Sequence, residues 1–89
     1  MKKSEVQEAI QRELEGKREL IRRCWAEARS APDWKRESKR AIAMHYAWEI
    51  RGIASVLRRL GFIDWAQMEA MGEEARQAAE AVGKEDFFS

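Results

Sequence analysis

The sequence predicts a small all-α fold: a three-helix bundle made of a long helical hairpin and a third, alanine-rich helix. The 89 residues are rich in Ala, Glu, Arg and Lys and include one proline and five glycines, a composition that favours helix. Apolar residues recur at three- and four-residue steps, the spacing of one helical face. A chain of this length supplies one domain, residues 1–89, with no room for a second.

The first predicted helix runs from about residue 4 to residue 30. Ser4 is the residue expected to begin it, and it should end before Pro32, because the residue preceding a proline disfavours the helical conformation. One apolar stripe is expected to face the core: Val6, Ile10, Leu14, Ile21, Cys24 and Ala28.

The second predicted helix, residues 33 to 60, is the most apolar stretch and is expected to lie in the middle. Ser30 and Asp33 match a capping-box pattern at its start, and Gly61 is the expected left-handed stop. A broad stripe should face both neighbouring helices: Ile42, Ala43, Tyr46, Ala47, Ile50, Ile53, Ala54, Leu57 and Leu60.

The third predicted helix, residues 64 to 82, starts at a second capping-box pattern, Asp64 and Gln67, and closes at Gly83. Its expected inner side is Trp65, Met68, Met71, Ala75, Ala78, Ala79 and Val82. The tail 83–89 is short and acidic and contains Phe87 and Phe88, to which the sequence assigns no role.

Basic residues concentrate where the first two helices join. Residues 17–40 hold nine Lys or Arg and four Asp or Glu, a net charge of +5. Together with two tryptophans they form a candidate surface for a ligand or partner that carries phosphates or acidic groups. This basic elbow consists of Arg18, Arg22, Trp25, Arg29, Trp34, Lys35, Arg36, Lys39 and Arg40. The alternative is a solvated face with local ion pairs, such as Glu15–Arg18.

A second face of the middle helix lacks charge. It consists of Ala41, Met44, Trp48, Gly52 and Ser55. A two-fold dimer needs one such self-complementary patch, so the sequence predicts a homodimer. The competing interpretation is that the first and third helices flank the middle one so widely that Trp48 is covered within a single chain.

The sequence offers little for chemistry. Cys24 and His45, the only cysteine and histidine, could pair as thiol and base, but nothing indicates an oxyanion site or a substrate cleft. One Cys and one His make no metal-ligand cluster, and the scattered glycines make no phosphate loop. We therefore expect no enzymatic activity, no catalytic residue, no cofactor and no metal.

The expected function is that of a small non-enzymatic regulator, inhibitor or adaptor that binds a macromolecule, most simply a protein. By analogy alone, such lone helical domains fit proteins encoded by phages or mobile elements. The alternative is a binder of nucleic acid, a nucleotide or another phosphate-bearing small ligand through the basic elbow. No apolar run predicts a membrane span, and a single cysteine makes a cytoplasmic location the default.

Overall fold

A computed structural model describes residues 2–84, in which it has three α-helices and no strand. Helix α1 spans Lys3–Arg29, α2 spans Asp33–Arg59 and α3 spans Trp65–Glu80. The predicted all-α three-helix fold is confirmed, with every boundary within two residues of its expected place. Residues 85–89 of the predicted tail, which include Phe87 and Phe88, lie outside the described residues.

Helix α2 is the middle element. Helices α1 and α3 both pack along it and barely contact each other, in a body that measures 47 × 24 × 19 Å. Small side chains allow this close approach, and the largest fully buried side chains are few: Ile50, Leu57 and Val82. Each is worth roughly 1.5–3 kcal/mol of burial. The main core cluster contains Leu14, Ile21, Cys24, Ala28, Ala43, Ala47, Ile50, Ala75, Ala79 and Val82.

The helix ends confirm one capping box and contradict the other. The Gln67 backbone N–H donates to Asp64 Oδ1 at 2.7 Å, and the Asp64 N–H donates to Gln67 Oε1 at 2.8 Å. The box expected from Ser30 and Asp33 is wrong. Ser30 closes α1 instead, and α2 has Pro32 as its N-cap, which provides no side-chain hydrogen bond.

The start of α1 and the ends of α2 and α3 can also be compared with their expected residues. Helix α1 begins one residue before Ser4, with Lys2 as its N-cap. Gly61 and Gly83 adopt φ values of +82° and +77°, the left-handed conformation that glycine tolerates, and they end α2 and α3 as predicted.

The buried sector of α2 is narrower than the sequence predicted. It comprises Ala43, Ala47, Ile50, Ala54 and Leu57. Ile42 and Leu60, expected in the core, are 42% and 45% exposed. On α3 the expected inner residues Trp65 and Ala78 are exposed as well. The buried residues of α2 fall within one arc of the helix, where a groove between α1 and α3 also includes Ile50, so α1 and α3 occupy adjoining sectors of α2. Within residues 2–84, the remaining circumference of α2 has no helical neighbour.

Candidate partner-binding surface

The exposed apolar residues of the described chain concentrate on α2. The described residues include six exposed large hydrophobic side chains. Five of them lie on α2 or at its C-cap: Trp34, Ile42, Trp48, Val56 and Leu60. The sixth is Trp65, at the start of α3. At 3.6 residues per turn, one solvent-facing strip runs the length of the helix. This outer face of α2 consists of Trp34, Glu37, Ala41, Met44, His45, Trp48, Gly52, Ser55, Val56 and Arg59.

All five residues predicted for self-association lie on this outer face. Ala41, Trp48 and Gly52 are exposed, whereas Met44 and Ser55 are half-buried. Met44 also packs against the core cluster, so that part of the predicted face is already used within the chain. Trp48 is 65% exposed, which contradicts the interpretation that α1 and α3 cover it.

The surroundings of Trp48 are open. The Arg51 guanidinium lies 5.7 Å from the centre of the indole ring, a cation–π contact. One turn further on, a Cβ added to Gly52 would meet no atom within 4 Å. Trp48 therefore stands beside an unfilled notch on the surface of α2.

A small groove of about 90 Å³ lies between α2 and α3 beside Trp48. Ligand sites for small molecules usually measure about 300–1,000 Å³, so this groove holds a single side chain. Its lining residues are Met44, Ala47, Trp48, Arg51, Met68, Glu69, Gly72, Glu73 and Arg76.

Part of the charge at the groove's α3 edge is already paired. Arg76 forms ion pairs with both Glu73 and Glu80. The hydrogen bond from Arg76 lowers the pKa of the Glu73 carboxyl, and the same bonds raise the pKa of Arg76. Arg76 thus neutralises Glu73, whereas Glu69 and Arg51 at the same groove are in no ion pair of residues 2–84. The wall formed by Met44, Trp48 and Met68 is apolar.

The basic elbow is largely engaged in holding the helices together. Arg36 Nε donates to the Ala31 carbonyl at 3.0 Å, and Arg40 Nε donates to the Val82 carbonyl at 2.8 Å. Since α2 runs antiparallel to α1 and α3, its first turns lie beside the C-terminal ends of both. Carbonyl groups and the negative end of the helix dipole attract cations there, which is why cations are stable at the start of α2.

Lys39 is also paired across the elbow. Its ammonium contacts the Glu27 carboxylate on α1. The hydrogen bond between them raises the pKa of Lys39 and lowers the pKa of Glu27. This pair fastens α1 to α2 within one chain.

The other elbow residues are spread over different surfaces. Arg18 and Arg22 border a groove between α1 and α3 and pair with Glu15 and Glu19 at 2.5 and 2.9 Å. The local ion pairs offered as the alternative to a binding patch are therefore present.

Both elbow tryptophans carry a cation over the ring. Arg29 lies 5.0 Å from the ring centre of the half-buried Trp25, and Lys35 lies 5.6 Å from that of Trp34, which is 71% exposed. Trp34 belongs to the outer face of α2, so the structure brings one residue of the elbow to the surface that carries Trp48.

The structure shows one cross-helix network that the sequence does not reveal. Lys17 Nζ on α1 lies 2.7 Å from the Glu49 carboxylate on α2 and 3.7 Å from Glu13, and His45 Nε2 lies 2.7 Å from the other oxygen of Glu49. Chiefly through its hydrogen bond, Glu49 raises the pKa of Lys17 while Lys17 lowers that of Glu49. The pairing depends on the relative position of two helices, which periodicity alone does not give.

Cys24 and His45 are not brought together as a thiol–base pair. Cys24 is buried in the core, and desolvation raises the pKa of its thiol, with Lys39 and Glu27 as its charged neighbours. The His45 side chain is exposed and pairs with Glu49. A buried thiol with a raised pKa is a poor nucleophile.

No family model, curated protein or solved structure in our comparisons matches the chain. Within residues 2–84, no group of three or more His, Cys, Asp and Glu side chains is placed to hold a metal ion. In the same range, no helix is long and apolar enough to cross a membrane.

Proposed function

We propose that this chain is a non-enzymatic binding protein, a regulator, inhibitor or adaptor, whose working surface is the outer face of α2. One observation carries the proposal: within residues 2–84, five of the six exposed large apolar residues lie on α2 or at its C-cap, and three of these, Trp34, Trp48 and Val56, belong to the outer face. Exposed apolar residues gathered on one face are typical of interaction sites, and tryptophan is enriched among the residues that dominate binding energy. Trp48 is the proposed anchor.

The groove beside Trp48 indicates the chemistry of the partner. It has room for one side chain, and the wall formed by Met44, Trp48 and Met68 is apolar. Met-rich surfaces adapt to different apolar shapes. A protein partner that inserts one aliphatic or aromatic side chain, as an amphipathic helix does, fits this groove better than a free small molecule.

Two kinds of protein partner fit the outer face of α2. The proposal includes a protein of the host cell and a second copy of the chain, a homodimer, because both require an accessible apolar face. A cytoplasmic location and an origin in a phage or mobile element remain part of the proposal.

Binding of nucleic acid or a phosphate-bearing ligand at the elbow is the second candidate. The observation that favours it is Lys35 placed over the exposed ring of Trp34. The internal contacts of Arg36, Lys39 and Arg40 argue against it. Titration against DNA, RNA and nucleotides at two salt concentrations tests it, since phosphate binding weakens steeply with salt.

The outer-face proposal is tested by affinity capture from the native host with three versions of the tagged chain. The wild type should retain a protein that Trp48→Glu loses. Trp65→Glu is the matched control, because Trp65 is 60% exposed but lies on α3. Circular dichroism confirms that each version is helical. Capture that is equal for Trp48→Glu and wild type, or that is lost only with Trp65→Glu, contradicts the proposal.

A further inference from the structure

We propose that the outer face of α2 binds a second copy of itself in antiparallel orientation, with the two-fold axis beside Trp48. This inference rests on the proposed function, since it names one partner for the same surface. It assigns in addition the direction of the two helices and the residues that meet, which makes it separately testable.

The sequence of the outer face is self-complementary when it is read against its own reverse. In an antiparallel pair, residues equally far before and after the axis lie opposite one another. Ala41 and Ser55 are each seven residues from Trp48, and Met44 and Gly52 are each four residues from it. Met44 of each copy therefore lies opposite Gly52 of the other, Ala41 lies opposite Ser55, and the two Trp48 indoles meet at the axis beside the notches at Gly52.

Charge selects the antiparallel direction. Glu37 and Arg59 are each eleven residues from Trp48, and both are exposed. Neither forms an ion pair within the part of the chain that the structure describes. Antiparallel packing places each Glu37 opposite an Arg59 of the second copy, twice by symmetry. Parallel packing would place like charges together and align the two helix dipoles.

The area available predicts a weak dimer. With the axis at Trp48, α2 overlaps its copy from residue 37 to residue 59, a length of about 35 Å at 1.5 Å per residue. A strip about 12 Å wide along this overlap gives about 400 Å² per copy, or about 800 Å² in total, the size of a weak, transient interface. We therefore expect dissociation in the micromolar range, about 1–100 µM.

Sedimentation equilibrium between about 1 and 300 µM measures this association directly. The average mass of the wild type should rise from 10.4 kDa towards twice that value. Trp48→Glu should remain at 10.4 kDa while retaining its helical circular dichroism, and Trp65→Glu should behave as the wild type. A wild-type mass of 10.4 kDa at every concentration overturns the inference, as does equal dimerisation of Trp48→Glu.

Charge reversal tests the direction and register. In Glu37→Arg alone, or Arg59→Glu alone, each copy would meet a like charge, so each variant should dimerise several-fold more weakly than the wild type. An equimolar mixture of the two variants places opposite charges at both contacts and should form a heterodimer of near wild-type affinity. In a parallel dimer like charges meet at both positions before and after either single change, so neither single variant would be weaker than the wild type. Single variants as strong as the wild type, or a mixture that associates no better than its components, would show that the antiparallel register is wrong.

The two proposals fail in distinguishable ways. A monomeric wild type whose captured host protein is lost with Trp48→Glu contradicts the second-copy inference and leaves the binding function intact. A wild-type dimer that captures no protein from the host contradicts the wider regulator or adaptor function but not the dimer.

Discussion

The inner and outer faces of α2 differ in a way that runs against the usual relation between hydrophobic bulk and burial. The inner face is built mostly from alanine, with Ile50 and Leu57 as its large residues, and it is buried. The outer face carries two tryptophans, Trp34 and Trp48, and leaves them exposed. Small residues let α1 and α3 approach α2 closely, so the fold does not require the tryptophans. The exposed side chains of Trp34 and Trp48 are therefore available to contact a partner.

The strongest test of the comparison removes one large side chain from each face. Ile50→Ala should lower the free energy of unfolding by about 2–5 kcal/mol, because it leaves a cavity where Ile50 is fully buried. The matched outer-face change, Val56→Ala, should lower the free energy of unfolding by less than about 1 kcal/mol, since Val56 is already 45% exposed. Urea denaturation at low micromolar protein concentration measures both. Equal costs would mean that the outer face is packed within the chain.

A smaller effect separates the cations at the two ends of α2. Arg40→Ala removes the hydrogen bond to the Val82 carbonyl and should cost about 1–2 kcal/mol. Arg59→Ala, on the exposed outer face, should cost less than about 0.5 kcal/mol in the monomer. Thermal unfolding at low protein concentration provides the comparison. An unfolding temperature of Arg40→Ala equal to that of the wild type would show that Arg40 does not hold α3 in place. The basic elbow would then again be a candidate binding surface.

Glycine substitutions sharpen the distinction between folding and binding. Gly52 and Gly16 both lie inside helices, and an added Cβ meets nothing within 4 Å at either position. Each change to alanine should therefore raise monomer stability by up to about 1 kcal/mol. Only Gly52→Ala should also weaken association, because it fills the notch beside Trp48. A dimer that is equally strong in both variants would remove Gly52 from the interface.

The smallest expected effect concerns pH and the network at the border of the outer face. The hydrogen bond from Lys17 lowers the pKa of Glu49 below its ordinary value of 4.5. The pairing therefore stabilises the fold above about pH 4.5 and is lost as pH falls through the folded-state pKa. Glu49→Gln should flatten the fall in stability over that acid range.

Glu13→Gln is the control for the acid titration. The Glu13 carboxylate lies 3.7 Å from Lys17 Nζ, against 2.7 Å for Glu49. Glu13→Gln should therefore change the dependence of stability on acid pH less than Glu49→Gln does. Identical acid profiles for Glu49→Gln and the wild type would show that the network adds nothing to stability.

Periodicity was sufficient to predict the three helices and the existence of an uncharged face on α2, because both depend on local spacing. It misplaced Ile42, Leu60 and Trp65 because it does not specify the angle between α1 and α3 around α2. It also treated Arg36 and Arg40 as surface charges. Arg36 bonds to the Ala31 carbonyl, five residues earlier in the α1–α2 turn. Arg40 bonds to the Val82 carbonyl after α3, which only the tertiary arrangement brings near.

The central claim is that Trp48 is uncovered in the single chain and becomes covered when the outer face binds. Fluorescence quenching by acrylamide tests it in a variant in which Trp25, Trp34 and Trp65 are replaced by Phe, leaving Trp48 as the only indole. The account predicts ready quenching at submicromolar concentration and progressive protection as the concentration rises into the range where the mass increases. Strong protection of Trp48 already at submicromolar concentration, in a monomer of 10.4 kDa, would contradict it.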